Sequence, residues 1–227
     1  MIYIFQIDGN IGAGKSTAIK ALQTLLSTIG KIPVIYLSEP VSIWENIKDL
    51  SGQNILEKYY INQTRYAFTF QMMAFITRIQ QIKKVTGYNN DIIIVCERSV
   101  FTDKEVFIKM LYNDKKIEEI EYSIYSKYFD EFIENITISG IIYIKTDPEI
   151  CKLRIKKRNR KGEEISLSYL KKCHNYHQNW LQNTQTPVLT LNGNITFLNS
   201  FPNNWKILIE KFLIDLSPTF FFTEITL

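Results

Sequence analysis

Cysteine is scarce in this sequence. There are three in 227 residues, at positions 96, 151 and 173, widely spaced and with no CxxC pair. A disulfide framework or a zinc site needs thiols in matched pairs, so neither is supported, and reduced thiols in a cytosol-like compartment are expected. Long apolar runs are also lacking. None approaches the roughly 20 residues that cross a bilayer, and no membrane association is expected. The Phe220, Phe221 and Phe222 cluster is too short to span and is expected to pack on the domain or on a partner subunit. A strand-like run begins at Ile2 and leaves no room for a presequence, so the expected location is the cytoplasm. Charge of one sign is wanting too: 27 basic against 23 acidic residues give a formal +4. That excess suits a protein that meets phosphates without demanding nucleic acid. The two histidines, His174 and His177, are spaced i, i+3 with no acid or cysteine near in sequence. They read as solvated helix residues rather than a metal pair.

What is present is a core. With 45% apolar residues the chain can bury one domain, spanning 1–227, but not two large ones. Short runs rich in Ile, Val and Leu at 2–8, 32–37, 91–96, 140–146 and 187–191 alternate with amphipathic stretches at 14–29, 54–86, 103–111, 117–136, 148–159, 166–184 and 203–215. The strand runs are almost continuously apolar, as strands covered on both faces are. The expected fold is a doubly wound α/β domain: a five-stranded parallel sheet flanked by helices on both faces. Ligands of such a sheet bind beyond the C-terminal strand ends.

The first strand end carries Gly9-Asn10-Ile11-Gly12-Ala13-Gly14-Lys15-Ser16-Thr17, which fits GxxxxGK[ST] between a strand and a helix. Glycines let backbone N–H groups curl around phosphate oxygens, and the helix N-terminus adds positive charge. Lys15 can reach the β- and γ-phosphates, and the Ser16 hydroxyl can coordinate Mg²⁺. The motif alone specifies a nucleoside triphosphate, not its fate. The second strand ends at Glu39-Pro40-Val41. Glu39 is there either a general base facing the loop or an exposed acid in a turn. The third ends at Cys96-Glu97-Arg98-Ser99. Glu97 suits a Mg²⁺ ligand and Arg98 a transferring phosphoryl group, unless the two form an ordinary ion pair. Seven of the ten residues 152–161 are basic. This run follows the fourth strand, and Arg154 and Arg158 share a helix face. A basic lid over ATP is preferred to a nucleic-acid patch or a solvated helix end.

Residues 59–82 form one long helical pattern in which Gln71, Ala74 and Arg78 share a face, with Tyr60 three turns earlier and Phe70 adjacent. A Gln and an Arg among Phe, Met and Ile are costly to bury without partners. The planar donor and acceptor of Gln71 match a base edge. The alternative is a partly exposed helix.

Together GNIGAGKST, EPVSIW, YAFTFQ, ERSVFTD, RIKKRNRKGEE, SLSYLKKCHNYHQNWL and PVLTLNG, in order along nearly the whole chain, resemble the deoxynucleoside kinases. The resemblance implies the P-loop kinase fold, and a salvage enzyme that moves the γ-phosphoryl of ATP, with Mg²⁺, to the 5′-hydroxyl of a deoxynucleoside. It implies Glu39 as base, Arg98 and Lys15 at the phosphates, and Ser16 and Glu97 at the metal. Gln71 would hold the base edge, with Trp44, Phe70 and Phe107 as clamps and Tyr60 and Glu163 on the sugar 3′-hydroxyl. Arg154, Arg158 and Arg160 would form the lid, and Phe197 would lie near adenine. The run after Arg160 is one residue shorter than the family's usual spacing, so Glu163 and Glu164 compete, with Glu163 preferred by its distance from Arg160. Ala74, Arg78 and Asp103 resemble the deoxycytidine and deoxyguanosine kinase set, in which an Arg–Asp pair fills the space of a thymine methyl. Deoxyadenosine, deoxyguanosine or deoxycytidine is therefore expected over thymidine. The family also implies a homodimer packed through the long helices. Two rivals stand beside this reading: a thymidylate kinase on the same fold, against which EPVSIW and the Gln71–Arg78–Asp103 set argue, and a P-loop module that binds nucleic acid, supported only by the basic run.

Overall fold

The computed structural model describes residues 1–87, 91–134, 136–160, 163–195 and 201–218. Strands β1 (Ile2–Asp8), β2 (Thr28–Ile29), β3 (Ile32–Leu37), β4 (Ile92–Glu97), β5 (Ile138–Lys145) and β6 (Val188–Asn192) form one sheet in the order β2-β3-β4-β1-β5-β6. The expected five parallel strands are present, but the sheet has six. Thr28–Ile29 doubles back antiparallel on β3 at the edge, in residues expected to continue the first helix.

The sheet explains the unbroken apolar strands. Phe5, Ile7, Ile93, Val95, Ile142 and Ile144 point to one face. Their neighbours Ile4, Ile92, Ile94, Cys96 and Ile141 point to the other. Both faces are covered: one by α1 (Lys15–Leu25), α8 (Pro148–Arg158) and α10 (Asn203–Asp215), the other by α4 (Gln63–Thr86) and α7 (Glu119–Phe132). A period-2 pattern with both phases apolar is what two covered faces require.

Several expected helices are subdivided. The pattern 54–86 is two helices, α3 (Ile55–Ile61) and α4, broken at Asn62. The Asn62 side chain accepts from the Arg65 amide at 3.1 Å and caps the start of α4. Tyr60 therefore belongs to α3, not to the helix carrying Gln71. A short α2 (Val41–Asn46) follows Pro40 directly, unforeseen in the sequence. The stretch from Val100 to Asn113 is α5 (Val100–Thr102), a π-helical segment Asp103–Ile108, and α6 (Lys109–Asn113). Helix α9 (Leu167–Asn183) crosses behind the C-terminal strand ends, where its Leu170 carbonyl accepts from Asn10 at 2.8 Å. Among the described residues no helix is long and apolar enough to cross a membrane. Phe220, Phe221 and Phe222 lie outside the described residues.

Candidate active site

The C-terminal strand ends open into one cavity of about 650 Å³. The phosphate-loop glycines and the lid arginines close one end. The aromatic and amide side chains of α2, α3 and α4 line the other.

The loop leaves β1 through Gly9 (φ 147°) and turns at Gly12 (φ 80°), both in the left-handed region. A Cβ on Gly9 would stand 2.6 Å from the Ile144 carbonyl oxygen, and one on Gly12 2.6 Å from that of Cys151. Only glycine permits this close approach. Lys15 Nζ donates to the carbonyls of Gly9 (3.1 Å) and Asn10 (2.8 Å). Burial and the nearby Arg98 charge push its ammonium down to about 8, against the pull of Glu97, Glu39 and Asp8. Ser16 Oγ donates to Glu97 Oε1 at 2.7 Å. An alcohol and a carboxylate meeting beside a phosphate loop are the hard oxygen donors that a small divalent cation takes, so these residues fit Mg²⁺.

Glu39 sits two residues past β3 and is clamped. Its Oε1 accepts from Arg78 Nη2 at 2.7 Å and from Arg98 Nη1 at 2.8 Å. Among the described residues no other hydrogen bond reaches its carboxylate, so Oε2 is free to accept. Burial alone would raise this carboxyl, but the Arg98, Arg78 and Lys15 charges outweigh it and hold it well below the usual carboxylate range. Arg98, next to the last strand residue, takes a left-handed backbone (φ 60°), rare for a residue with a Cβ. Its guanidinium lies 5.0 Å from the Phe107 ring centroid.

Arg78 is buried and fully engaged. It donates from Nε to Asp103 Oδ2 (3.0 Å), from Nη1 to the Glu97 carbonyl (3.0 Å) and from Nη2 to Glu39. Burial pushes the Asp103 carboxyl up to about 6, against the pull of Arg78. Nearby, Gln71 Oε1 is buried with no hydrogen-bond partner. Trp44 is held by its Nε1 donating to Thr77 Oγ1 at 3.0 Å and meets Phe70 edge-on at 5.4 Å.

On the far wall, Glu163 is 3% exposed at its side chain and takes two close bonds from Arg158 Nη2, both 2.6 Å. Glu163 lines the cavity, whereas Glu164 is exposed and does not. Arg154 donates to the carbonyls of Ala13, Gly193 and Ile195, which ties α8 to the phosphate loop. Arg160 approaches Glu45 and Glu163, each at 3.9 Å.

The structure thus brings the phosphate loop, Glu39, Glu97, Arg98, the Gln71 face, Phe107, Glu163 and the three lid arginines to one cavity. Gly9, Asn10 and Ala13 lie behind its wall, and Phe197 lies outside the described residues. Sequence reasoning missed Tyr59 and Tyr169, whose hydroxyls stand 3.1 Å apart in the cavity wall; no local signal marks them. It also misplaced His177. That residue is fully buried rather than solvated, and its acidic partner is Asp8. Among the described residues no cluster of His, Cys, Asp and Glu forms a metal cage.

A family model described as deoxynucleoside kinase matches residues 5–213. The chain is 38% identical over 221 residues to a probable deoxycytidine kinase of fowlpox virus (strain NVSL), covering 92% of this chain and 88% of the relative. It is 32% identical over 236 residues to the deoxycytidine kinase of Homo sapiens, covering 90% and 87%. It is 30% identical over 223 residues to a mitochondrial deoxyguanosine kinase of Xenopus laevis, covering 86% and 82%.

Proposed function

The chain belongs to the deoxynucleoside kinase family, and from that premise we propose that Glu39 is the base for the 5′-hydroxyl and that the Gln71 face reads the nucleobase. The protein is an ATP-dependent deoxynucleoside kinase of nucleotide salvage. The observation that carries the division of roles is the position of Glu39. Its carboxylate is held by Arg78 from the base-reading side and by Arg98 from the phosphate side.

In this reading ATP lies along the phosphate loop, with Lys15 and Arg98 drawing charge from the γ-phosphoryl and Arg154, Arg158 and Arg160 closing over it. Ser16 and Glu97 hold Mg²⁺, which when bound neutralises phosphate charge. Glu39 Oε2 accepts the 5′-hydroxyl proton. A depressed carboxyl is a weak base, but in a loose phosphoryl-transfer transition state the nucleophile loses its proton late, so orientation outweighs basicity. Gln71 Oε1 takes a donor from the base edge, Trp44, Phe70 and Phe107 clamp the ring alongside Ala74, and Tyr60 and Glu163 meet the sugar 3′-hydroxyl. Phe197 is assigned to adenine by family resemblance alone.

Deoxyadenosine, deoxyguanosine and deoxycytidine are the proposed acceptors, because the Arg78–Asp103 pair occupies the space beside the base. A four-nucleoside kinetic panel with ATP and Mg²⁺ tests this. Thymidine is expected to show the lowest kcat/KM, and a thymidine value equal to the best of the others overturns it. The same pair gives a pH signature. Burial pushes the Asp103 carboxyl up to about 6, and it is the stronger acceptor for an exocyclic amine when ionised, since protonation turns one oxygen into a donor. KM for the amine-bearing nucleosides is therefore expected to rise as pH falls through about 6, with kcat at saturation less affected. A KM that stays flat through that range removes Asp103 from base recognition.

The whole chain is read as one domain that works as a homodimer. Exposed Ile76 on α4 and exposed Ile120, Tyr128 and Phe132 on α7 support packing through the long helices, and size exclusion with light scattering tests it. Three buried free cysteines support a reducing, cytoplasmic setting.

A further inference from the structure

Beneath the phosphate loop lies a polar cluster that phosphoryl transfer leaves without a task. Asp8, the last residue of β1, is wholly buried. Its Oδ1 accepts from the Gly9 amide at 2.7 Å and faces His177 Nε2 at 3.1 Å. Its Oδ2 accepts from the Thr102 hydroxyl at 2.6 Å and from Gln6 Nε2 at 3.1 Å. Ser99 sets the Gln6 amide by donating to its Oε1. Four donors thus fill the acceptor capacity of an ionised carboxylate.

The His177 ring is also fully buried, and its Nδ1 lies 2.7 Å from the Cys173 carbonyl oxygen. A carbonyl oxygen can only accept, so Nδ1 carries a hydrogen. Nε2 faces Asp8 Oδ1, and an ionised carboxylate can only accept, so Nε2 carries one as well. Only the imidazolium has both. The other groups around the pair are the stacked Tyr143 at 6.2 Å, the Phe107 edge at 6.3 Å, Cys173 and His174 on the same helix, and the Arg98 and Lys15 charges on the Asp8 side. Burial would raise the Asp8 carboxyl, yet the His177 hydrogen bond and charge hold it down to about 2.

We propose that His177 is a positioning residue that works only as the imidazolium, clamping α9 to the root of the phosphate loop and, through Asp8 and Thr102, to the turn that carries Arg98. The carboxylate that receives His177 also holds the amide of Gly9, the first loop residue, and the hydroxyl of Thr102, one turn past Arg98. Arg98 keeps its left-handed backbone only while its surroundings over-determine it, and this cluster lies directly behind it.

Nuclear magnetic resonance of ¹⁵N-histidine-labelled enzyme tests the protonation state without reference to activity. With two histidines in the chain, His174→Gln assigns the remaining signal. His177 is expected to carry protons on both nitrogens at neutral pH, and a bare ring nitrogen there overturns the proposal. The kinetic arm rests on the phosphoryl-transfer reading. His177→Gln keeps one donor and no charge, and is expected to lower kcat/KM for ATP roughly 10²-fold through loop misplacement, with nucleoside KM little moved. Equal losses toward both substrates would mark a merely structural role and overturn it. Should that variant not fold, the wild-type enzyme still decides. Its ¹⁵N spectrum is expected to show both His177 ring nitrogens protonated, and a bare ring nitrogen overturns the proposal.

Discussion

Glu39→Gln is expected to lower kcat by roughly 10²–10⁴-fold while leaving KM for both substrates within a few-fold of wild type. The substitution is nearly isosteric. The amide oxygen can still accept from Arg78 and Arg98, which meet Glu39 at 2.7 and 2.8 Å on a single oxygen, so the cavity keeps its shape. What is lost is the second oxygen, replaced by an NH₂ group that cannot accept the 5′-hydroxyl proton. The lost negative charge also leaves two guanidiniums less neutralised beside the phosphate loop, so ATP affinity is expected to hold or tighten. Steady-state kinetics with each substrate varied, and calorimetric binding of ATP, make the check. A variant with kcat within a few-fold of wild type removes Glu39 from the base role. Because the arginines hold the Glu39 carboxyl well below the usual range, the acid limb of the wild-type profile is expected to follow Asp103, near 6, and not Glu39.

Arg78→Met is expected to destabilise the protein by roughly 3–5 kcal/mol, read as a drop in Tm and in the urea midpoint. Arg78 is buried and serves Asp103, Glu39 and the Glu97 carbonyl at once. Removing it strands Asp103, a carboxylate only 2% exposed, without its charged partner. Adding Asp103→Ala removes the stranded charge, so the double variant is expected to regain most of the lost stability. That non-additivity is the signature of a coupled buried pair. The double variant also empties the space beside the base. Its kcat/KM ratio for thymidine over deoxycytidine is expected to rise well above that of the wild type. Two additive losses in stability would show that the pair is not coupled, and an unchanged thymidine ratio would show that it does not set base choice.

Much of the site was readable along the chain. Strand β1, the glycines of residues 9–14, Lys15 and Ser16 are adjacent in sequence, and their chemistry depends on backbone conformations that neighbouring residues dictate. Glu39 and the Glu97–Arg98 pair were readable because a strand end is a local event, and parallel strands bring all such ends to one edge. The break at Asn62 was in principle legible, since Asn is a favoured cap, but the apolar pattern running through it was the stronger signal. The short α2 and the π-helical turn at Asp103 were not legible, since their shapes answer to what packs on them.

By itself, then, the sequence determined the doubly wound sheet, the phosphate loop and the identity of the groups that ring the cavity. Only the tertiary structure decided how those groups are paired: both arginines on one oxygen of Glu39, Arg158 on Glu163, and His177 buried against an aspartate 169 residues away. Burial and charge pairing depend on which distant side chains share a space. The spacing that made His174 and His177 look alike as helix residues carries no information about which one faces Asp8.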